Sequence, residues 1–209
     1  MAKTFNNDLF DKGLGEITAA ATAGTLNLVL CSQQPLTLAD ASTLYDGTAN
    51  KYRLSNAIAV AAVDVTLADR AAGGREITVA AKSGNIAATF NTSLDTGTAT
   101  SGTTTTLADT AKAWSVNAYA NKLLKITGGT GSGQVGVIAS NTSTVITLSA
   151  ALTTAPDATS VYEIVENLHF ALYDATRLLM VSDETSDQSV TNANPVNFPS
   201  FKFGMSDPV

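Results

Sequence analysis

The chain has few of the residues from which active sites and disulfide frameworks are usually built. Its 209 residues include one cysteine, Cys31, and one histidine, His169. A lone cysteine cannot form an intrachain disulfide, and a zinc site would need two carboxylates besides these two residues, at a ligand spacing that the sequence does not show. We therefore expect a fold held by its hydrophobic core, with no metal and no cofactor.

Charge and long apolar segments are scarce as well. Charged residues make up 14% of the chain, and 18 acidic against 12 basic residues give a net charge of -6. Binding nucleic acid requires a basic face, which this chain can hardly assemble. The longest apolar run, residues 57–63, is far shorter than the roughly 20 residues of a membrane span, and Asn6, Asn7 and Asp8 stand where a signal peptide has its apolar segment. We expect a soluble chain with neither nucleic acid nor membrane as a partner.

What the chain does contain favours β-structure. Alanine and threonine are the commonest residues, 33 and 30 in number, and 44% of the chain is hydrophobic. Short apolar runs alternate with turn residues over most of the length, which is typical of strands. The sequence therefore predicts a mainly β, α+β fold, in which one N-terminal helix packs on an antiparallel sheet.

The first 92 residues predict the following elements. A helix is expected at 7–22, a strand at 26–31 and a short helix at 38–45, followed by largely β-structure from 52 to 90. Within that stretch, Val63, Val65 and Leu67 alternate with polar neighbours, and Ile77 and Val79 do the same, so two antiparallel strands are predicted. Residues 82–85 read as a hairpin turn that leads to a strand at 86–90.

Residues 93–165 differ in character, being dense in Thr, Gly and Ser and poor in charge. Strands are predicted at 103–107, 122–127, 134–140, 144–148 and 161–165, with a tight turn at 141–142. Short strands with glycine-rich turns suggest a small β-barrel or sandwich. After residue 166 the earlier pattern resumes, with strands at 168–173, 178–181 and 196–203, the last one at a sheet edge or interrupted because of Pro195 and Pro199. The simplest arrangement is a discontinuous α+β domain, 1–92 and 166–209, with a β-domain at 93–165 inserted into it.

Catalytic chemistry is not indicated. Alternation places His169 opposite Leu168, Phe170 and Leu172, which favours a surface position over a role as general base, and Cys31 ends an apolar run, which favours a buried structural thiol. No catalytic, cofactor-binding or metal-binding residue is predicted, and we expect the protein not to be an enzyme.

Three other patterns have the residue types of a ligand-binding site, but each favours a structural role. Gly131, Gly133 and Gly136 form a literal G-x-G-x-x-G, but a strand follows instead of a helix, so a hairpin tip is favoured. The acidic segment with Asp183, Glu184 and Asp187 lacks EF-hand spacing and favours a solvated turn. Trp114, Tyr119 and Tyr162 have the chemistry to stack on a sugar, although a place in the core is favoured.

Two groups of motifs resemble structural proteins of tailed bacteriophages. The first comprises Leu-Val-Leu-Cys-Ser-Gln-Gln-Pro at 28–35, Gly-Arg-Glu-Ile-Thr-Val-Ala-Ala-Lys-Ser-Gly at 74–84, Ala-Leu-Tyr-Asp-Ala-Thr-Arg-Leu-Leu at 171–179 and Asn-Pro-Val-Asn-Phe-Pro at 194–199. It is similar to small decoration or head-fibre proteins of the virion. The second comprises residues 122–142 and 156–164, which resemble a β-module recurring in phage head and tail-appendage proteins.

The resemblance implies a non-enzymatic building block of the virion. The resemblance first implies a capsid decoration (cement) protein on the outer capsid surface, assembled in the host bacterial cytoplasm. Its expected partners are the major capsid protein and further copies of itself, in a homotrimer. The alternative is a tail or neck appendage that contacts host glycans through Trp114 and the Thr-rich loops. A hydrolytic role based on His169 is the third and weakest hypothesis.

Overall fold

The computed structural model describes residues 3–5, 13–48, 50–69, 71, 75–89, 92–184 and 190–205. The chain divides into two compact units. Unit 1 is Met1–Phe90, Leu168–Thr185 and Thr191–Val209, and unit 2 is Asn91–Asn167 with Ser186–Val190. The boundaries expected from the sequence, 92/93 and 165/166, lie two residues from the observed divisions at 90/91 and 167/168. Val190, which the sequence assigns to the α+β domain, belongs to unit 2, where its N–H donates to Thr92 Oγ1 (2.7 Å).

The described elements are mostly strands, which confirms the predicted mainly β, α+β fold. The helices are α1 (Gly15–Thr22) and α2 (Leu38–Ser42), and a 3-10 turn spans Ala62–Asp64. The strands of unit 1 are β1 (Lys3–Phe5), β2 (Asn27–Cys31), β3 (Ile58–Ala59), β4 (Val65–Asp69), β5 (Arg75–Val79), β6 (Lys82–Asn85), β14 (His169–Tyr173), β15 (Leu178–Asp183), β16 (Pro195–Phe198) and β17 (Phe201–Met205). The strands of unit 2 are β7 (Ser93–Thr98), β8 (Ser101–Thr103), β9 (Thr106–Ala108), β10 (Leu123–Gly128), β11 (Val135–Asn141), β12 (Val145–Leu148) and β13 (Val161–Val165). Neither of these helices has the length and apolar character needed to cross a membrane.

The centre of unit 1 is a five-stranded antiparallel sheet in the order β1-β15-β14-β2-β3. All five residues of β14 are buried, and four of the five in β2 are buried as well. A strand that is buried on both faces reads as a continuous apolar run, which is the pattern of residues 26–31 and 168–173. The strands predicted there are confirmed, each with its first residue outside the strand.

Helix α1 is tied to this unit by apolar packing and by one charged cluster. Ile17, Ala20 and Ala21 form its buried side, and Gly24, with φ of 70°, ends it in the left-handed conformation. The Arg177 guanidinium donates to Asp174 in the β14–β15 turn (Nη2–Oδ2 2.6 Å) and to Glu16 in α1 (Nη2–Oε2 2.8 Å). The helix expected at 7–22 is confirmed from Gly15 onward, and residues 6–12 lie outside the described part of the chain.

Two small antiparallel sheets complete unit 1, in the orders β17-β5-β4 and β16-β6. The predicted antiparallel pairing of β4 with β5 is confirmed. The predicted hairpin turn at 82–85 is wrong, because these residues form β6 and pair with β16 more than 100 residues away. The strand expected at 86–90 is also wrong, since residues 86–89, the described part of this range, have only an isolated bridge at Ile86. Residues 196–203 form parts of two strands that separate at Pro199, as the proline positions suggested.

Unit 2 is built on one seven-stranded antiparallel sheet in the order β7-β13-β10-β11-β12-β9-β8. Its end strands β7 and β8 are consecutive in the chain. Between them, the Ala99 N–H donates to Ser160 O (2.9 Å) and the Thr100 N–H donates to Ala108 O (2.7 Å), which brings the two ends of the sheet together. The chain enters and leaves this unit at neighbouring positions, because the Glu166 N–H donates to Thr92 O (2.9 Å).

One apolar cluster fills the inner side of this sheet. Its buried members are Ala99, Leu107, Trp114, Leu124, Ile126, Ile138, Ile146, Leu148, Leu152, Tyr162 and Ile164. The inward residues alternate along each strand, as in Leu124 and Ile126 or Tyr162 and Ile164. The strand predicted at 161–165 is confirmed, and those at 122–127, 134–140 and 144–148 are confirmed to within a residue at each end. The strand predicted at 103–107 is wrong, because a turn at 104–105 splits it into β8 and β9, and β7 was not predicted at all.

Candidate functional site

The aromatic residues of unit 2 lie in its core and not on a binding surface. Trp114 is 8% exposed and Tyr162 is fully buried, and Tyr119 packs against the same cluster. The Trp114 ring makes edge contacts with Tyr119 and Tyr162 at centroid distances of 5.9 and 6.4 Å. The core placement favoured by the sequence is confirmed, so Trp114 has no free face on which a sugar could stack.

A polar network surrounds this aromatic group. The Trp114 Nε1–H donates to Asp95 Oδ2 (2.6 Å), and Lys112 Nζ donates to Asp95 Oδ1 (2.8 Å). The Tyr162 hydroxyl donates to Asp109 Oδ2 (2.7 Å). Burial alone raises the pKa of Asp95, but the hydrogen bonds from Lys112 and Trp114 outweigh it and hold the pKa below its usual range. Burial and the bond to Asp109 raise the pKa of Tyr162. Each carboxylate of the network thus accepts hydrogen bonds from side chains in or beside the aromatic group, and the network fixes these side chains in one arrangement.

The lowered pKa of Asp95 predicts a loss of stability in acid. A carboxylate whose pKa is lower in the folded state stabilises the fold above its unfolded pKa of about 3.9, and this contribution disappears as the pH falls through the folded pKa. At pH 7 we expect Asp95→Asn to unfold with a free energy about 1–2 kcal/mol below that of the wild type, because charged hydrogen bonds are lost. In thermal melts the gap between the two proteins should narrow as the pH falls below about 3.9. A gap that stays constant as the solution is acidified would contradict the assignment.

The strand register of unit 1 brings three chemically interesting residues into one row. Cys31 on β2 lies directly opposite His169 on β14, which in turn lies opposite Asp183 on β15. Directly opposed residues place their side chains on the same face of a sheet, so a Cys, a His and an Asp are neighbours there. These are the residue types of a nucleophile, a base and an orienting carboxylate.

The geometry of this row does not match that chemistry. Cys31 is fully buried, and burial raises the pKa of its thiol, so the thiolate that attacks an electrophile is not formed. His169 Nε2 lies 3.6 Å from Asp183 Oδ1, beyond hydrogen-bond distance. His169 is 8% exposed, so the predicted surface position is wrong: its face of the sheet is covered as well as the opposite one. No group of His, Cys, Asp and Glu side chains in the described ranges is arranged to hold a metal ion.

Burial of Cys31 predicts that the native protein resists thiol reagents. In the folded state we expect no reaction with an aromatic disulfide such as DTNB at pH 8 over an hour. In guanidinium chloride one equivalent should react, because Cys31 is the one cysteine in the sequence. Cys31→Ala serves as the blank in both conditions. Rapid stoichiometric labelling of the folded chain would show that the row is open to solvent.

The glycine motif and the acidic segment also have ordinary structural roles where they are described. Gly131 (φ 80°) and Gly133 (φ 89°) lie in the turn between β10 and β11, and Gly136 lies within β11, so the predicted hairpin tip is confirmed. Asp183 ends β15 and Glu184 follows it, whereas Asp187 lies outside the described residues.

The features that remain for function are aliphatic side chains exposed on ordered backbone. In unit 1, Val63 is 89% exposed in the 3-10 turn. That turn is held by Asp64, whose Oδ2 accepts from the Ala61 N–H (2.8 Å) and from Lys82 Nζ (2.8 Å). In unit 2, Val135 (47%) and Val161 (42%) are exposed on the outer face of the sheet. Exposed aliphatic groups on fixed backbone suit contacts with other proteins, because little conformational entropy remains to be lost on binding.

Comparison with known proteins gives no further guide, since no family model, curated protein or solved structure matches the chain significantly.

Proposed function

We propose that this chain is a structural protein of a tailed-bacteriophage virion, a capsid decoration (cement) protein on the outer surface of the head. Its partners are the major capsid protein and further copies of itself, with a homotrimer as the arrangement that the sequence resemblance implies. The protein stabilises the shell by covering surface at many repeated contacts, and no catalytic step is involved.

The observation that best supports this proposal is the exposed Val63 turn of unit 1. Residues 61–63 are all exposed, and the Asp64–Lys82 ion pair holds their backbone in place. Both members of that pair are about one-fifth exposed, so it is shielded in part from water. A valine displayed in this way can insert into an apolar recess of a neighbouring subunit at little entropic cost. We assign the contact with the shell to this turn.

Virus particles of the phage that encodes the chain provide the test. Quantitative mass spectrometry of purified particles should find the chain in a fixed ratio to the major capsid protein, and antibody labelling should decorate heads. Heads that lack the chain should lose their DNA at a lower temperature. Particles that contain none of the chain, or labelling confined to tails, would contradict the proposal.

Adding purified protein back to heads that lack it tests the assigned contact. Val63→Asp should reduce binding at least tenfold, because a charge replaces the apolar side chain that enters the recess. Ala175→Asp adds the same charge at an exposed turn of the same unit and should bind normally. If both variants bind alike, unit 1 does not use the Val63 turn.

A further inference from the structure

The outer face of the unit 2 sheet has a strip of exposed and half-buried residues that lie outside the apolar cluster. We define the outer strip as Val135, Val161, Lys125, Glu163, Thr96 and Thr98, which project from four adjacent strands. Their neighbours along each strand point inward to the apolar cluster. In the next row Leu123 and Val165 are buried, whereas Val137, which lies opposite Leu123, is 38% exposed.

The register of the strands arranges the strip in rows. Glu163 on β13 lies opposite Lys125 on β10, which lies opposite Val135 on β11. In the adjacent row, Val161 lies opposite Gly128, where the register of β10 shifts after Ile126. A Cβ placed on Gly128 would be in ordinary contact with Val161 of the same chain at 3.5 Å, and the Thr127 hydroxyl beside it donates to Val161 O (3.4 Å). The strip thus places a negative beside a positive group in one row, and an exposed valine in the next.

This pattern is complementary to itself. Consider a twofold axis that runs parallel to the strands, above the outer face and midway between β10 and β13. Rotation about it places β13 of a second copy over β10 of the first, and each row faces the same row of the other copy. Lys125 then faces the partner's Glu163 and Glu163 faces the partner's Lys125, while each Val161 lies over the partner's Gly128. We infer that the outer strip binds a second copy of this chain face to face, through such a twofold axis.

The inference rests on the proposed function for its setting, a shell on which copies lie side by side. A twofold contact joins neighbouring copies in pairs and is additional to a threefold arrangement made by other surfaces. Three or four aliphatic and threonine side chains per copy make a modest interface. Repetition over a shell turns modest contacts into a large total, because each contact forms at a high effective concentration.

Two charge reversals test the inference in purified protein. Lys125→Glu makes the strip wholly negative and Glu163→Lys makes it wholly positive, so each variant alone repels its own copies across the axis. We expect analytical ultracentrifugation to give each variant half the mass of the wild type at the same concentration. An equimolar mixture of the two variants should recover the wild-type mass, because each lysine of one copy then faces a glutamate of the other.

The mixture separates this inference from effects within one chain. Each variant disrupts the cross-strand pair in its own sheet, but mixing leaves that disruption unchanged and restores only contacts between copies. Val116→Lys changes a valine of unit 2 that lies outside the strip and is more exposed than Val135 and Val161, and it should keep the wild-type mass. Val135→Thr with Val161→Thr, which keeps the charges and the shape, should weaken association at least tenfold if a reversal variant fails to fold.

Several results would overturn the inference. They are a wild-type protein that remains a single chain from low to high concentration, variants that match the wild type, or a mixture that does not associate. These outcomes leave the decoration role intact, since it is judged by the presence of the chain on heads. Conversely, self-association that responds to the reversals, in a chain absent from heads, would uphold the outer strip and remove the proposed function.

Discussion

Replacing Lys122 with methionine is expected to lower the free energy of unfolding of unit 2 by about 3–5 kcal/mol. Lys122 forms an ion pair with Glu166, whose side chain is 2% exposed, and the lysine is itself 15% exposed. Without the ammonium group, the buried carboxylate loses this ion pair, which no longer offsets the cost of its desolvation. Urea denaturation followed by circular dichroism would measure the change.

The double variant Lys122→Met with Glu166→Met is the matched control. Removing both charges leaves neither member of this ion pair without the other, and apolar side chains of similar volume often replace a buried pair at little cost. We expect the double variant to unfold within about 1 kcal/mol of the wild type, at the level of many volume-conserving core changes. A double variant as unstable as Lys122→Met would show that the loss came from packing and not from the orphaned charge.

Replacing Trp114 with alanine should cost unit 2 about 3–5 kcal/mol of unfolding free energy, as large-to-small changes of buried aromatic residues do. Two effects add in this variant. The ring leaves a cavity beside Tyr119 and Tyr162, and Asp95 loses the indole N–H that donates to it. The free energy can be obtained from urea unfolding followed by far-ultraviolet circular dichroism.

Trp114→Phe separates the two effects. Phenylalanine keeps most of the apolar contact but has no N–H group, so the expected cost falls to about 1–3 kcal/mol, the value of a charged hydrogen bond. Trp114→Ala with a cost below 1 kcal/mol would show that the indole lies outside the core. It would then reopen the hypothesis that this side chain contacts glycans.

The local sequence pattern is sufficient to predict a strand where apolar and polar residues alternate regularly. The alternation of Val161, Tyr162, Glu163, Ile164 and Val165 predicts β13 and its inward side chains. The glycine-rich turn before β11 was predicted because glycine is the residue that adopts positive φ at no steric cost.

Local pattern failed where pairing is between distant segments. Lys82, Ser83, Gly84 and Asn85 have the composition of a turn, yet they form a strand because residues 195–198 supply hydrogen-bond partners. The predicted surface position of His169 is wrong for a related reason. Alternation assigns a side chain to one face of a sheet but does not show whether other residues cover that face.

The residues that form the outer strip and the Cys31 row become neighbours only through the pairing of strands that are distant in the sequence. The Val-Gly-Val pattern at 135–137 marks one exposed and one inward face, but only the pairing with β10 and β13 shows that Lys125 and Glu163 stand beside the valines. The row that joins Cys31, His169 and Asp183 is likewise invisible in the sequence, because its members are 138 and 14 residues apart. Both sets become recognisable when the strand order is known.

Trp114 is the one tryptophan in the sequence, and it lies in the core of unit 2. Its emission spectrum therefore reports on unit 2 alone, whereas the tyrosines and the peptide bonds absorb in both units. A red shift of that emission at a lower temperature or denaturant concentration than the loss of the remaining signal would mean that the inserted segment melts by itself. Coincident transitions would mean that the insertion and its host behave as one cooperative body.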